Sequence, residues 1–394
     1  MKYNIHRQDA DSTSMIFTNA RLIFPDGIRD GLELHTERGK ITDVREQTRA
    51  SVKDVVDLQG NYLAPGFIDL HVHGAIGRDM MEASVEAFQS ICDYHASGGT
   101  TSLLLTTTTA PLDTIVDVLK AVRDCGRNDR IAGVHVEGPF ISKVKRGAQQ
   151  EKFIQDPIAE AVDELLAHAD VIKRITLAPE LPGALPAIEK FRAKGISVSG
   201  GHSDAWDEEA RAAFDLGMRS VTHTFNCMSS ARRRGFSRVA GLLEFALAEP
   251  AINCELIADG HHVSPTLIKM LYWAKGGSGI SLVTDATPGA GLPEGSRFAL
   301  YDNDCIVEGG VCLLADRSAL AGSASRMIDL IRTMVHHVKV PLLEAIAMAT
   351  TNPAAAIGLE NKGRIAVGAD ADFVVLSPKL EVLKTFSVGE KIYG

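Results

Sequence analysis

Apolar positions recur along this chain with two periods, and the change of period divides it. From Met15 to about Asn61, short apolar runs (Ser14-Met-Ile-Phe-Thr, Ala20-Arg-Leu-Ile-Phe, Gly31-Leu-Glu-Leu-His) are separated by turn residues. Such runs read as antiparallel β-strands. The same texture returns near the C-terminus in Gly363-Arg-Ile-Ala-Val-Gly and Ala371-Asp-Phe-Val-Val-Leu. Two β-rich ends point to one small β-sandwich built from both termini.

Between them, short continuous apolar runs alternate with longer stretches of helical period. Eight candidate strands fall at 66–72, 100–106, 131–137, 172–178, 196–200, 219–223, 253–257 and 280–284. Helical patterns at 85–97, 113–123, 205–216 and 265–274 lie among them. Repeated strand–helix units predict an α/β chain whose parallel strands close into a (β/α)8, TIM-like barrel. The expected boundaries are a disordered leader at 1–14, sandwich segments at 15–62 and 357–394, and a catalytic barrel at 63–356. In such a barrel the chemistry sits at the C-terminal ends of the strands.

Composition narrows the function classes. With 394 residues, 45% hydrophobic and 23% charged, the chain can bury a large core, which excludes disordered and fibrous readings. A net charge of -9 gives no electrostatic support for nucleic-acid binding, so any substrate phosphate would need local basic groups. The six cysteines form no C-x-x-C pair and no dense framework, which argues against a zinc ribbon or a secreted disulfide scaffold. The first 14 residues are polar, without the apolar stretch of a signal peptide. No apolar run reaches the roughly 20 residues of a membrane span. A reducing cytoplasm is therefore the expected location.

The expected strand ends carry metal-binding chemistry. Strand one ends in His71-Val72-His73, strand three in His135-Val136-Glu137, and strand five runs into Gly201-His202-Ser203. Strand six ends at Thr222-His223-Thr224 and strand eight at Thr284-Asp285-Ala286. Residues two apart on a strand share a face, so His71 and His73 can converge on one ion. Imidazoles and carboxylates without thiolates suit zinc, iron or manganese, and zinc is the usual choice for hydrolysis. One histidine at a strand end is weak evidence, but five such ends in a barrel frame are not. Elsewhere the plain readings hold. His6 and His35 are expected at the surface, and His95, His168, His336 and His337 as surface or core positions of helical segments.

At Pro65-Gly-Phe-Ile-Asp-Leu-His-Val-His-Gly74 the sequence resembles the amidohydrolase superfamily. His135-Val-Glu-Gly-Pro-Phe140, Gly201-His-Ser203, His223-Thr-Phe-Asn-Cys-Met228, Ile257-Ala-Asp-Gly-His-His-Val263 and Val283-Thr-Asp-Ala286 narrow the resemblance. Together with Leu320-Ala-Gly-Ser323 and Asn352-Pro-Ala354 they are similar to the N-acetylglucosamine-6-phosphate deacetylase family, from about Met15 to Leu376. The resemblance implies a metal held by Glu137, His202 and His223. It also implies one or two divalent ions, since His71 and His73 offer a second site that Glu137 would bridge. Asn226, the backbone of Cys227 and His262 would face a phosphosugar. Arg234 would reach the phosphate of a neighbouring subunit, implying a homodimer.

Two departures bear on the substrate. The family's arginine is commonly followed by Glu-Pro-Gly, whereas here the loop reads Arg232-Arg-Arg-Gly-Phe-Ser-Arg238, leaving open which arginine binds phosphate. In Lys145-Arg-Gly-Ala-Gln149, the Ala148–Gln149 pair is a further substrate contact, with Gln149 standing where some members carry histidine. Gln149 can hydrogen-bond a sugar hydroxyl but cannot carry charge. Asp285 is the expected proton shuttle, His135 a supporting group, and Gly322 and Ser323, in a loop after strand eight, a border of an acetyl pocket. Open alternatives are the galactosamine epimer, an unphosphorylated N-acyl substrate and, more remotely, a non-catalytic sugar-phosphate sensor. A dihydroorotase-type site is disfavoured, because strand four, Arg174-Ile-Thr-Leu-Ala-Pro-Glu180, has no lysine at its end.

Overall fold

A computed structural model describes residues 14–47, 55–126 and 128–394. The expected leader lies outside these residues except for Ser14, which already opens the strand Ser14–Thr18.

The apolar runs of the middle segment become strands buried on both faces. Phe67–Val72 and Thr100–Thr107 have no exposed residue, as parallel strands covered by helices require. Ile131–Glu137, Ile172–Leu177, Ser197–Gly200, Ser220–Val221, Asn253–Leu256 and Ile280–Leu282 follow in chain order, each parallel to the one before. The ring closes where Val72 bridges Ala286 in parallel and Asp285 N–H donates to the His71 carbonyl at 2.9 Å. The (β/α)8 expectation is met, each expected strand lying within two residues of an observed one.

Outside the barrel, helices bury one stripe each. Leu112–Asp124 buries Ile115, Val116, Val118, Leu119 and Val122, a helical spacing that presents one apolar face. Ser84 caps Val85–Ala96 through a side-chain bond from Ala87 N–H.

The chain ends meet in a second core. Tyr62–Pro65 from the N-terminal part pairs antiparallel with Phe373–Leu376 from the C-terminal part, inside a six-stranded sheet. A four-stranded sheet containing Ser14–Thr18 completes the sandwich. Phe17 packs edge-on against Phe373 and Phe386, each centroid 5.2 Å away.

One feature went unread and two readings need correction. After the eighth strand the chain forms a four-stranded antiparallel sheet, Arg297–Leu300, Asn303–Glu308, Val311–Leu314 and Leu320–Ser323. Gly322 and Ser323 therefore lie in a strand, not a loop, because Val311 pairs with Ser323. His35 is half-buried rather than superficial, held 3.0 Å from the buried Glu33.

Candidate active site

The strand ends bring six side chains to one mouth. His71 lies within Phe67–Val72, with His73 just beyond; Glu137 ends Ile131–Glu137. His202, His223 and Asp285 follow their strands by two or three residues. These last three have φ of 47°, 31° and 49°, and nearby Phe225 and Cys227 have 79° and 48°. Left-handed backbone at non-glycine residues costs on the order of 1–3 kcal/mol each and persists where the surroundings over-determine it. Here it turns three strand ends inward.

Two clusters result, His71–His73–Asp285 and Glu137–His202–His223. His202 Nε2 and His223 Nε2 each lie 3.2 Å from Glu137 Oε1 and 3.1 Å from one another. His71 Nε2 is 3.1 Å from His73 Nε2, and the two lie 3.4 and 3.3 Å from Asp285 Oδ1. Glu137 stands between the clusters, with Oε1 3.4 Å from His71 and Oε2 3.3 Å from His73.

Proton positions decide what such a cluster can hold. Nδ1 of His73, His202 and His223 faces the carbonyls of Thr106, Lys145 and Asn226 at 3.0, 2.9 and 3.2 Å. A carbonyl only accepts, so each Nδ1 carries the hydrogen and a neutral ring offers an Nε2 lone pair. Protonating both His202 and His223 would set two N–H bonds head to head at 3.1 Å. Converging lone pairs with two carboxylates are a donor set that fits divalent cations.

The charges agree. Burial raises the Glu137 carboxyl, but His71 and His202 outweigh it and hold the group well below the usual carboxylate range. Asp285 is drawn down to about 2, burial opposing and His71 and His73 prevailing. His73 is pushed up to about 9, against burial, by hydrogen bonding to Asp285 and Glu137. The acids demand positive charge at the mouth. Asp285 is the most open of the six, its side chain 13% exposed against 5% or less for the others.

The clusters face a cavity of about 240 Å³ whose wall includes Ala148, Gln149, Asn226, Cys227 and His262. Gly147 backs it at φ +57°, where an added Cβ would meet Cys227 Sγ at 2.6 Å. His262 Nδ1 lies 2.7 Å from Asp259 Oδ2. Burial disfavours its charge, but Asp259 outweighs that and raises the imidazole above its ordinary pKa. Gln149 is committed elsewhere than expected. Its Nε2 donates to Glu137 Oε2 and its Oε1 accepts from Thr109 N–H, both at 2.7 Å. His135 is buried between the Leu70 carbonyl and Thr176 Oγ1 and is no ligand.

The arginine loop is an antiparallel hairpin, Arg232–Arg234 with Ser237–Val239. Arg232 pairs with Asp204, and Arg234 with Glu208, both guanidinium groups lying over the Trp206 ring. No arginine or lysine lines this chain's cavity among the described residues.

Other wall and support residues escaped the sequence reading. Leu300, Tyr301 and Asn303 come from the antiparallel excursion. Asn303 fastens it to the opposite loop, donating to the Ala148 carbonyl at 2.9 Å and accepting from Gln150 at 2.7 Å. Asp69 accepts from Thr284 Oγ1 at 2.6 Å and so ties the strand carrying His71 to the segment carrying Asp285. Its signals were an acid inside the apolar run Phe67-Ile-Asp-Leu and its place in the Pro65–Gly74 motif. Burial pushes that carboxyl up to about 7, against the Thr284 bonds.

Fold and site together define a barrel hydrolase with a carboxylate standing between two metal-ligand clusters. The amidohydrolase family model matches residues 62–392, and the chain belongs to that family. It is 34% identical over 384 residues to N-acetylglucosamine-6-phosphate deacetylase of Lysinibacillus sphaericus, covering 95% of this chain and 97% of the relative. It is 32% identical to N-acetylgalactosamine-6-phosphate deacetylase of Escherichia coli O157:H7, covering 94% and 97%. A point mutant of N-acetyl-D-glucosamine-6-phosphate deacetylase from Mycobacterium smegmatis, solved in complex with N-acetyl-D-glucosamine-6-phosphate, superposes with a TM-score of 0.91. That structure is 28% identical, the match covering 97% of this chain and 100% of the other. No helix of the described residues is long and apolar enough to cross a membrane.

Proposed function

We propose that this chain hydrolyses the acetamide of N-acetyl-D-glucosamine 6-phosphate, releasing acetate and glucosamine 6-phosphate. The observation that carries the reading is Asp285. It is an ionised carboxylate, the most open of the six ligand-type groups, set between two ligand histidines on the wall of a sugar-sized cavity. An amide resists hydrolysis because its carbonyl is a weak electrophile and its amine a poor leaving group. Glu137, His202 and His223 would hold one divalent ion, His71, His73 and Asp285 a second, and zinc suits the nitrogen–oxygen donor set. When bound, such an ion polarises the carbonyl and lowers the pKa of water towards ~7.

The chain's own groups do the rest. Asp285 accepts a proton from the attacking water as oxygen bonds to the carbonyl carbon. It returns that proton to the sugar nitrogen as the C–N bond breaks and acetate leaves. Gln149 holds the Glu137 carboxylate in register through its bond to Oε2. Asn226, the Cys227 backbone and His262, whose imidazole Asp259 holds above its ordinary pKa, line the sugar side.

The phosphate needs more charge than His262 supplies, and no arginine among the described residues lines the cavity. The hairpin therefore serves a neighbouring subunit, making the active form a homodimer in which Arg234 contacts the partner's substrate. A fully exposed Phe236 at the hairpin tip supports a covered surface there. Hydrolysis of the galactosamine epimer is the second reading, favoured by similarity to the Escherichia coli relative. Acetate release from the two phosphorylated epimers and plain N-acetylglucosamine decides. The gluco phosphosugar should be turned over fastest. Dominance of the galacto phosphosugar selects the second reading, and indifference to phosphate removes both.

A further inference from the structure

Beneath the cavity lies a charged pair that takes no part in proton transfer. Arg174, on the fourth barrel strand, and Glu255, on the seventh, are fully buried, with Nη2 2.8 Å from Oε1. Arg174 also donates to Ser199 Oγ at 3.2 Å. The other oxygen of Glu255 lies 3.7 Å from His71 Nδ1. That nitrogen is buried and has no hydrogen-bond partner.

His71 thus differs from the other three ligand histidines, each of which turns Nδ1 to a backbone carbonyl. It alone is backed by a carboxylate, and that carboxylate by a buried cation. A buried ion pair is a poor source of stability, since desolvating two charges offsets much of their attraction. Its place against an unpartnered imidazole nitrogen calls for another role.

We propose that Glu255, held by Arg174, is a positioning carboxylate for His71. It keeps the hydrogen on Nδ1, leaves the Nε2 lone pair facing His73 and Asp285, and so sets that cluster's affinity for a divalent ion. Arg174 supplies the counter-charge. The proposal rests on the reading that this cluster binds an ion. Carboxylates placed behind ligand histidines in this way typically govern metal affinity by roughly 10- to 100-fold.

The test uses the full zinc-loaded chain, with zinc per chain counted by mass spectrometry across a series of zinc-chelator buffers. Wild type is expected to hold two ions. The double variant Glu255→Met, Arg174→Met removes both charges together, so no lone buried charge is left to unfold the barrel. One ion should weaken by roughly 10- to 100-fold while the other and the Tm stay as in wild type. Glu255→Gln, which keeps an acceptor atom, should fall between. Two ions bound by the double variant as tightly as by wild type overturn the proposal and leave the metal reading intact. Weakening of both ions alike with a fallen Tm overturns it too, by showing a merely structural pair. A wild type that holds a single ion, unchanged in the variant, also refutes it. A chain that holds none overturns the metal reading along with it.

Discussion

The two ligand clusters share one carboxylate and one mouth but are held by different means. His202 and His223 stand on left-handed backbone beyond their strands, each fixed by a loop carbonyl. His71 stands inside a regular strand and is backed by the buried side chains of Glu255 and Arg174. Asp69 and Thr284 lash that strand to the one that delivers Asp285. One cluster takes both its histidines from strained loop backbone; the other has only Asp285 on such backbone and sets its His71 against a polar barrel interior. Their sensitivities to substitution should differ accordingly.

The largest effect is expected at Glu137, which touches both clusters. Glu137→Ala should lose both ions and nearly all acetate release. One ion retained at full affinity would show that the clusters do not share this ligand. Next is Asp285→Asn, which keeps shape but cannot take a proton. Its kcat should fall by roughly 10²–10⁴-fold, the range of a positioned acid–base group, with phosphosugar affinity by calorimetry preserved. Near-normal turnover would remove Asp285 from proton transfer.

Arg234→Ala should be weaker again. A charge-assisted bond contributes about 1.5–3 kcal/mol, so KM for the phosphosugar should rise by roughly 10- to 150-fold. Plain N-acetylglucosamine should be unaffected, and an equal effect on both would sever Arg234 from the phosphate. The smallest effect concerns pH. Asp259 raises the His262 pKa against burial, so the pair's stabilisation is full below the ordinary histidine value and is lost as pH rises through the raised one. Phosphosugar affinity should weaken over the same window. His262→Asn should flatten that limb, and a limb unchanged in the variant assigns it to another group.

Much of this was legible in the sequence. Strands buried on both faces leave apolar runs that alternate with helical period, and eight of them gave the barrel. His71-Val-His73 and His135-Val-Glu137 showed their chemistry because residues two apart share a strand face. The excursion at 297–323 was not read, because its strands are short and only partly buried, as in the alternating Arg297–Leu300. Gln149 was read toward the sugar, whereas it binds Glu137, a contact across 12 residues that no local pattern encodes. Arg174 and Glu255 lie on different strands and pair only through barrel closure. The arginine hairpin was visible as a charge run, but its ion pairs with Asp204 and Glu208 lie 26 to 28 residues away and follow from no local pattern.

The central claim, that these six side chains form a metal-dependent deacetylase centre, is tested most directly by titrating zinc into chelator-stripped protein. Acetate release from N-acetylglucosamine 6-phosphate is followed alongside bound zinc. The account predicts negligible release from the stripped chain and recovery in step with the bound ions. Full release from protein shown to hold no metal would contradict it.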